Sequence, residues 1–237
     1  MIIHPNIDPV IFQIGPAAVR WYGLMYLAGF AAAYYLGLKR IERIGITKEQ
    51  FSDLVFYGAL GVILGGRMGY ALFYQFDQVL QDPLWLFKIW QGGMSFHGGL
   101  LGVLFVLLWF SWRRKINTID LMDFAGPLLP IGVGAGRIAN FINQELWGRP
   151  SDAPWAVLFP NDPLQLPRHA SQLYEAFLEG LVLFVVLWFF SQSPKNRGAV
   201  SGLGLMCYGV FRFTVEFFRE PDAHLGFVAA DWLTQGQ

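Results

Sequence analysis

Residues 54–75 read LVFYGALGVILGGRMGYALFYQ, with Arg67 as the one charged side chain. A helix rising 1.5 Å per residue needs about 20 apolar residues to cross the hydrocarbon core of a bilayer, so this stretch predicts a membrane span. Gly61, Gly65 and Gly69 recur at every fourth position and line one face with absent side chains, the pattern of close helix–helix contact. Arg67 beside them is expected to serve structure, or to snorkel, rather than to act on a substrate.

Working outward, five more apolar stretches cover 20–38, 96–112, 121–141, 173–191 and 200–218. The expected fold is an all-α, polytopic membrane helix bundle of six spans, a single integral membrane domain over 1–237. Composition agrees. Hydrophobic residues make up 54% of the 237 and charged residues 14%, against about 25% charged in soluble proteins. The third stretch is the shortest and the fourth is rich in glycine and proline, so both are expected to be broken or interior helices. A formal net charge of zero argues against a nucleic-acid partner. The single cysteine, Cys207, lies in an apolar stretch, which removes a disulfide framework and a cysteine-based metal site. The opening residues Met1 to Pro5 lack a basic segment, so no cleavable signal is expected.

Placement of charge predicts orientation. Lys39, Arg40, Arg43, Lys48, Arg113, Arg114, Lys115, Lys195 and Arg197 fall on one side, against Arg20, Lys88, Arg149, Arg168 and Arg219 on the other. The positive-inside rule then puts the N-terminus outside. The longest connection, 142–172, becomes an external loop. Its five prolines, with Trp147 and Trp155, predict an ordered cap at the membrane interface. The segments 65–70 and 134–140 look weakly alike, from shared glycine packing or else from a remote duplication.

Arg67, Arg137 and Arg212 fall within spans. A guanidinium in a membrane helix costs about 2.5–3.5 kcal/mol on insertion scales and does not lose its proton, so each needs an anion. Arg212 shares a stripe with Tyr208 and Glu216, each four residues away. Two roles stay open for it: an internal ion pair with Glu216, or a substrate contact that Glu216 aims. Arg137 has Asn140 and Gln144 on its face and no acid within one turn, and it lies among Gly132, Gly134, Ala135, Gly136 and Ala139. That combination reads as an anion site, unless Glu145 or another span supplies the charge. His97, between Phe96 and Gly98, is the one histidine expected at membrane level; His4, His169 and His224 read as loop residues. An imidazole there is either a proton acceptor or a structural hydrogen-bonder. The absence of HExxH and CxxC motifs makes a catalytic metal unexpected.

The segment Gly136 to Gly148, GRIANFINQELWG, resembles the defining motif of the bacterial prolipoprotein diacylglyceryl transferases. The resemblance extends to RWYGLMYL (20–27), GGRMGY (65–70), GGMSFHGG (92–99), RHASQLYEAFLEG (168–180) and YGVFRFTVEFFREPD (208–222). It implies an enzyme of the bacterial inner membrane, acting at its outer, periplasmic side. That enzyme moves the diacylglyceryl group of phosphatidylglycerol to the lipobox cysteine of a prolipoprotein and releases glycerol phosphate. The implied partners are phosphatidylglycerol, the lipobox segment and membrane lipids; no cofactor is implied, and a monomer is expected. The residues it marks are Tyr22, His97, Arg137, Asn140, Glu145, Gly148, Tyr208, Arg212 and Glu216, with His97, Arg137 and Arg212 as the catalytic ones. On that reading His97 is a candidate base for the thiol, and Arg137 and Arg212 stabilise the departing phosphate. Asn140 and Tyr22 add hydrogen bonds, Glu145 and Glu216 aim the arginines, and Gly148 lets backbone approach the headgroup. The family also implies a seventh span, which would begin where this sequence reaches Thr234 to Gln237.

Overall fold

Apolar runs interrupted by capping residues become long helices here. The structure, a computed structural model, describes residues 2–15, 17–88 and 92–220. His224 and the segment expected to open a seventh span lie outside them. Short strands come first: β1 (Ile2–Ile3), β2 (Val10–Ile14) and β3 (Ala17–Arg20). Helices α1 (Trp21–Leu38), α2 (Lys48–Tyr74), α3 (Phe76–Gln81), α4 (Phe96–Arg114), α5 (Thr118–Ala125) and α6 (Leu129–Ile142) follow. After strands β4 (Val157–Leu158) and β5 (Pro167–Arg168) come α7 (Ser171–Glu175), α8 (Leu183–Phe190) and α9 (Ala199–Glu216). A π-helical segment, Ala176–Val182, joins α7 to α8. Lys48–Tyr74, Phe96–Arg114 and Ser171–Phe190 are each long and apolar enough to cross a membrane.

The third stretch is one unbroken helix, α4, so of the two expectations for it, broken or interior, the break is absent. Its glycines serve packing, not a break. The fourth is broken, at the three-ten turn Gly126–Leu128 that separates α5 from α6. Pro127 lies at the start of that turn, the position where proline's missing N–H is best tolerated. Helix α2 begins earlier than the apolar run. Thr47 caps it by accepting from Gln50 N at 3.2 Å, and Thr47 N–H donates in turn to Gln50 Oε1 at 3.0 Å.

The chain divides into two compact units, Met1–Ala33 with Ala125–Gln237, and Tyr34–Phe124. In the second, α2 and α4 meet backbone to backbone. A side chain at Gly61, Gly65, Gly98 or Gly102 would run into a carbonyl or Cα of the facing helix. Arg67 is 2% exposed and donates to the carbonyls of Leu86 (3.0 Å), Trp85 (2.7 Å), Lys88, Gly92 and Gly93, with the Trp85 ring 4.0 Å from its guanidinium carbon. Carbonyl dipoles, not a carboxylate, satisfy this cation. Its structural role stands.

In the first unit, β1 pairs in parallel with β4, which pairs antiparallel with β5. His4, 2% exposed, donates from Nε2 to Phe141 O (3.0 Å) and accepts Asn6 N–H at Nδ1 (3.1 Å). Burial pushes its imidazole below the usual range, in keeping with this neutral tautomer. The segment after α6 is ordered by Val157, Phe159 and Ala170, on which Phe141 and Trp147 pack. Arg168, 3% exposed, anchors it by donating to both oxygens of Asp162, 2.6 and 3.2 Å away.

Candidate active site

Close packing of small residues brings the charged groups together. Gly134 on α6 lies against Gly180 of the π-helical segment, so near that a Cβ on Gly134 would stand 3.0 Å from the Gly180 Cα. One turn further along α6, Arg137 therefore faces the end of α7. Its Nε stands 2.7 Å from Glu175 Oε2. From α9, Arg212 Nη1 reaches Glu175 Oε1 at 2.9 Å and Nη2 reaches Glu216 Oε2 at 2.7 Å. Arg219, in the turn after α9, adds a third guanidinium, with Nη1 3.0 Å from Glu175 Oε1. The result is a network of three cations on two carboxylates.

The network has a direction. The Glu175 and Glu216 side chains are 1% and 5% exposed, while those of Arg137 and Arg212 are 20% exposed. The acids stand behind and the cations in front. Arg137 engages Glu175 through Nε, and among the described residues its two terminal nitrogens have no partner. This outer edge can receive an anion with several N–H donors.

Sequence reasoning left the counter-charge of Arg137 open, and Glu175, from another helix, supplies it. Glu175 and Arg219 are the site residues it missed. Both fall in quoted motifs, and the signal was available: a carboxylate in an apolar stretch needs a partner as much as an arginine does. Arg212 makes the ion pair with Glu216 that one of its two readings expected, and it pairs with Glu175 as well.

Glu145 is held at the exposed end of α6. Asn140 Nδ2 donates to its Oε2 at 3.2 Å, Asn143 Nδ2 to its Oε1 at 3.4 Å, and Gln172 Nε2 to its carbonyl at 2.6 Å. Gln144 and Leu146 adopt left-handed φ of 57° and 56° on either side, a conformation few side chains tolerate. Gln144, expected on the face of Arg137, bridges Asn6 and Asn161. Tyr22, its ring 5.1 Å from that of Tyr26, interacts electrostatically with Glu145 and Arg137. Tyr208 interacts likewise with Arg212 and Arg137. Gly148 meets protein, not open space: a Cβ there would overlap Phe218 O and His169 O, and its N–H donates to His169 O at 2.8 Å.

His97 belongs to the other unit. It occupies the first turn of α4, which Ser95 caps by accepting Gly98 N–H at 3.2 Å, and its side chain is exposed. Ser95 N–H donates to Gly66 O at 2.9 Å, which ties that turn to α2.

Residues 9–237 match the family model described as Prolipoprotein diacylglyceryl transferase. The phosphatidylglycerol–prolipoprotein diacylglyceryl transferase of Pseudoalteromonas atlantica is 61% identical over 236 residues, 98% of this chain and 84% of that protein. The enzymes of the same name from a Marinomonas species and from Pseudomonas putida are 58% and 56% identical, each over 100% of this chain and over 89% and 90% of their own lengths. With motifs from both units inside the matched range, the chain belongs to the prolipoprotein diacylglyceryl transferases, a family of membrane enzymes.

Proposed function

We propose that this protein transfers the sn-1,2-diacylglyceryl group of phosphatidylglycerol to the lipobox cysteine of a prolipoprotein. The observation that carries this reading is the outward-facing pair Arg137 and Arg212, backed by buried Glu175 and Glu216. The cysteine sulfur attacks the glycerol carbon that bears the phosphate. A carbon–sulfur bond forms, the carbon–oxygen bond breaks with its electron pair going to oxygen, and glycerol phosphate departs. A free thiol is only a few per cent ionised at neutral pH, so the step needs a base, and His97 takes the proton. Charge building on the phosphate meets guanidiniums already fixed by Glu175 and Glu216, which need no reorganisation as the bond breaks. Tyr22, Asn140 and Tyr208 contribute hydrogen bonds around the headgroup, and Glu145 holds Asn140. Gly148 acts by allowing the 142–172 segment to close on Phe218 and His169.

The same reading gives six spans in the bacterial inner membrane, with the N-terminus and the 142–172 cap on the periplasmic side. The enzyme works as a monomer on membrane lipid and the lipobox segment. Three helices that meet the length and hydropathy of a span support it, as do the basic residues gathered on alternate connections.

The test is to incubate the purified protein with phosphatidylglycerol vesicles and a lipobox peptide. Release of glycerol phosphate together with a heavier peptide is expected. Lipid movement across the vesicle without either product would replace the transferase with an anionic-lipid flippase. Inertness in both assays would leave a scaffold held together by ion pairs.

A further inference from the structure

One turn beyond Glu175, a second acid of the same long helix has no role in the transfer just described. Glu179 lies in the π-helical segment, its residue is 0% exposed, and neither carboxyl oxygen has a hydrogen-bond partner among the described residues. Helices α6, α7, α8 and α9 pack against that segment. The charged and titratable groups of these helices and of the turn after α9 that interact with Glu179 are Arg137, Glu175, Arg212, Arg219 and Tyr208; α8 offers none.

An ionised carboxylate is an acceptor of several hydrogen bonds, and burying one with none is strongly unfavourable even after relaxation. Glu175, next to it, takes three guanidinium contacts. The arginines make their ion pairs with Glu175 and Glu216, and among the described residues Glu179 makes none, although Arg137, Arg212 and Arg219 act on it electrostatically. We propose that Glu179 carries its proton and acts as the residue that sets the charge of the site. With Glu179 neutral, three guanidiniums against Glu175 and Glu216 leave one net positive charge in the network. With Glu179 ionised the sum is zero. One positive charge matches the single negative charge of a phosphodiester headgroup, so the neutral acid preserves the attraction on which substrate binding depends. The inference rests on the phosphodiester reading of the site. Glu179 is a positioning residue in it: fully buried, it acts through the arginines.

The decisive measurement is an infrared difference spectrum of the detergent-solubilised protein at pH 7, wild type minus Glu179→Gln, with Glu179→Met as a second partner. The expected result is the carbonyl-stretch band of a protonated carboxylic acid, lost in both variants. A carboxylate band in its place overturns the proposal. So does failure of both variants to accumulate as folded protein, because a charge would then be required at this position. Kinetics give a second reading. Glu179→Gln should keep the KM for phosphatidylglycerol within twofold of wild type, and a rise of tenfold or more overturns the charge assignment. The spectrum needs no substrate, so it stands even if the protein proves inactive on phosphatidylglycerol.

Discussion

Glu175 Oε2 stands 2.7 Å from Arg137 Nε, which joins a buried acid of the fifth long stretch to a cation of the fourth. Because Arg212 and Arg219 use the other oxygen, one carboxylate fixes three guanidiniums. Glu175→Gln keeps the shape and removes the charge. Breaking one side of a buried ion pair costs about 3–5 kcal/mol, so the thermal midpoint in detergent should fall and glycerol phosphate release should drop with it. An unchanged midpoint would mean that the network does not hold the helices together.

Arg137→Ala leaves Glu175 paired with Arg212 and Arg219, so the protein should still insert and fold. Transfer should be abolished, since removal of one preorganised donor group already slows related reactions by about 100- to 1,000-fold. The measurement is glycerol phosphate release per folded molecule. Near-normal lipidation would remove the central claim about this cation.

His97→Gln retains a hydrogen-bonding side chain and loses the ionisation. If His97 accepts the thiol proton, the wild-type rate–pH profile carries a step that the variant lacks. The two rate–pH profiles decide it: parallel curves would assign His97 to orientation alone.

Gly98 and Gly102 face the backbone of α2, where an added methyl meets Gly65 and Gly61. Overpacking of this kind costs about 1–3 kcal/mol. Gly58 on α2 has open space around it, so Gly58→Ala is the control. Thermal midpoints should fall for Gly98→Ala and Gly102→Ala and hold for Gly58→Ala.

Asp162 sits below the usual carboxylate range because Arg168 donates to it, helped by the N–H groups of Leu164 and Leu166. A carboxyl depressed in the folded state contributes stability above its unfolded value, about 3.9, and loses it as pH falls through the folded value. Trp147, whose ring lies 5.7 Å from the Arg168 guanidinium carbon, reports on the segment. Its fluorescence should stay constant from neutrality to about pH 4 and change at more acid pH. Asp162→Asn should show the altered signal already at pH 7.

The helices were legible because hydropathy and length act locally: each apolar run carries its own reason to be helical and buried. The break at Gly126–Leu128 was legible for the same reason, since proline and glycine act on their own backbone. The continuity of α4 was not, because a glycine that kinks a helix and a glycine that packs it look identical until the facing helix is known. Gly148 shows the same ambiguity: its missing side chain makes room for two carbonyls of the protein itself.

The intramembrane arginines follow the same division. Sequence alone determined that Arg67, Arg137 and Arg212 each needed a source of negative potential, because their cost in a span depends on residue type and location. It also put Arg212 and Glu216 on one stripe, since helical periodicity relates residues four apart on one element, and left their pairing as one of two roles. Tertiary structure alone decided that Arg67 is satisfied by five carbonyls and that Arg137 is satisfied by Glu175. Periodicity ends where a helix ends. Which acid meets which cation across two helices is set by how closely Gly134 and Gly180 let their backbones approach.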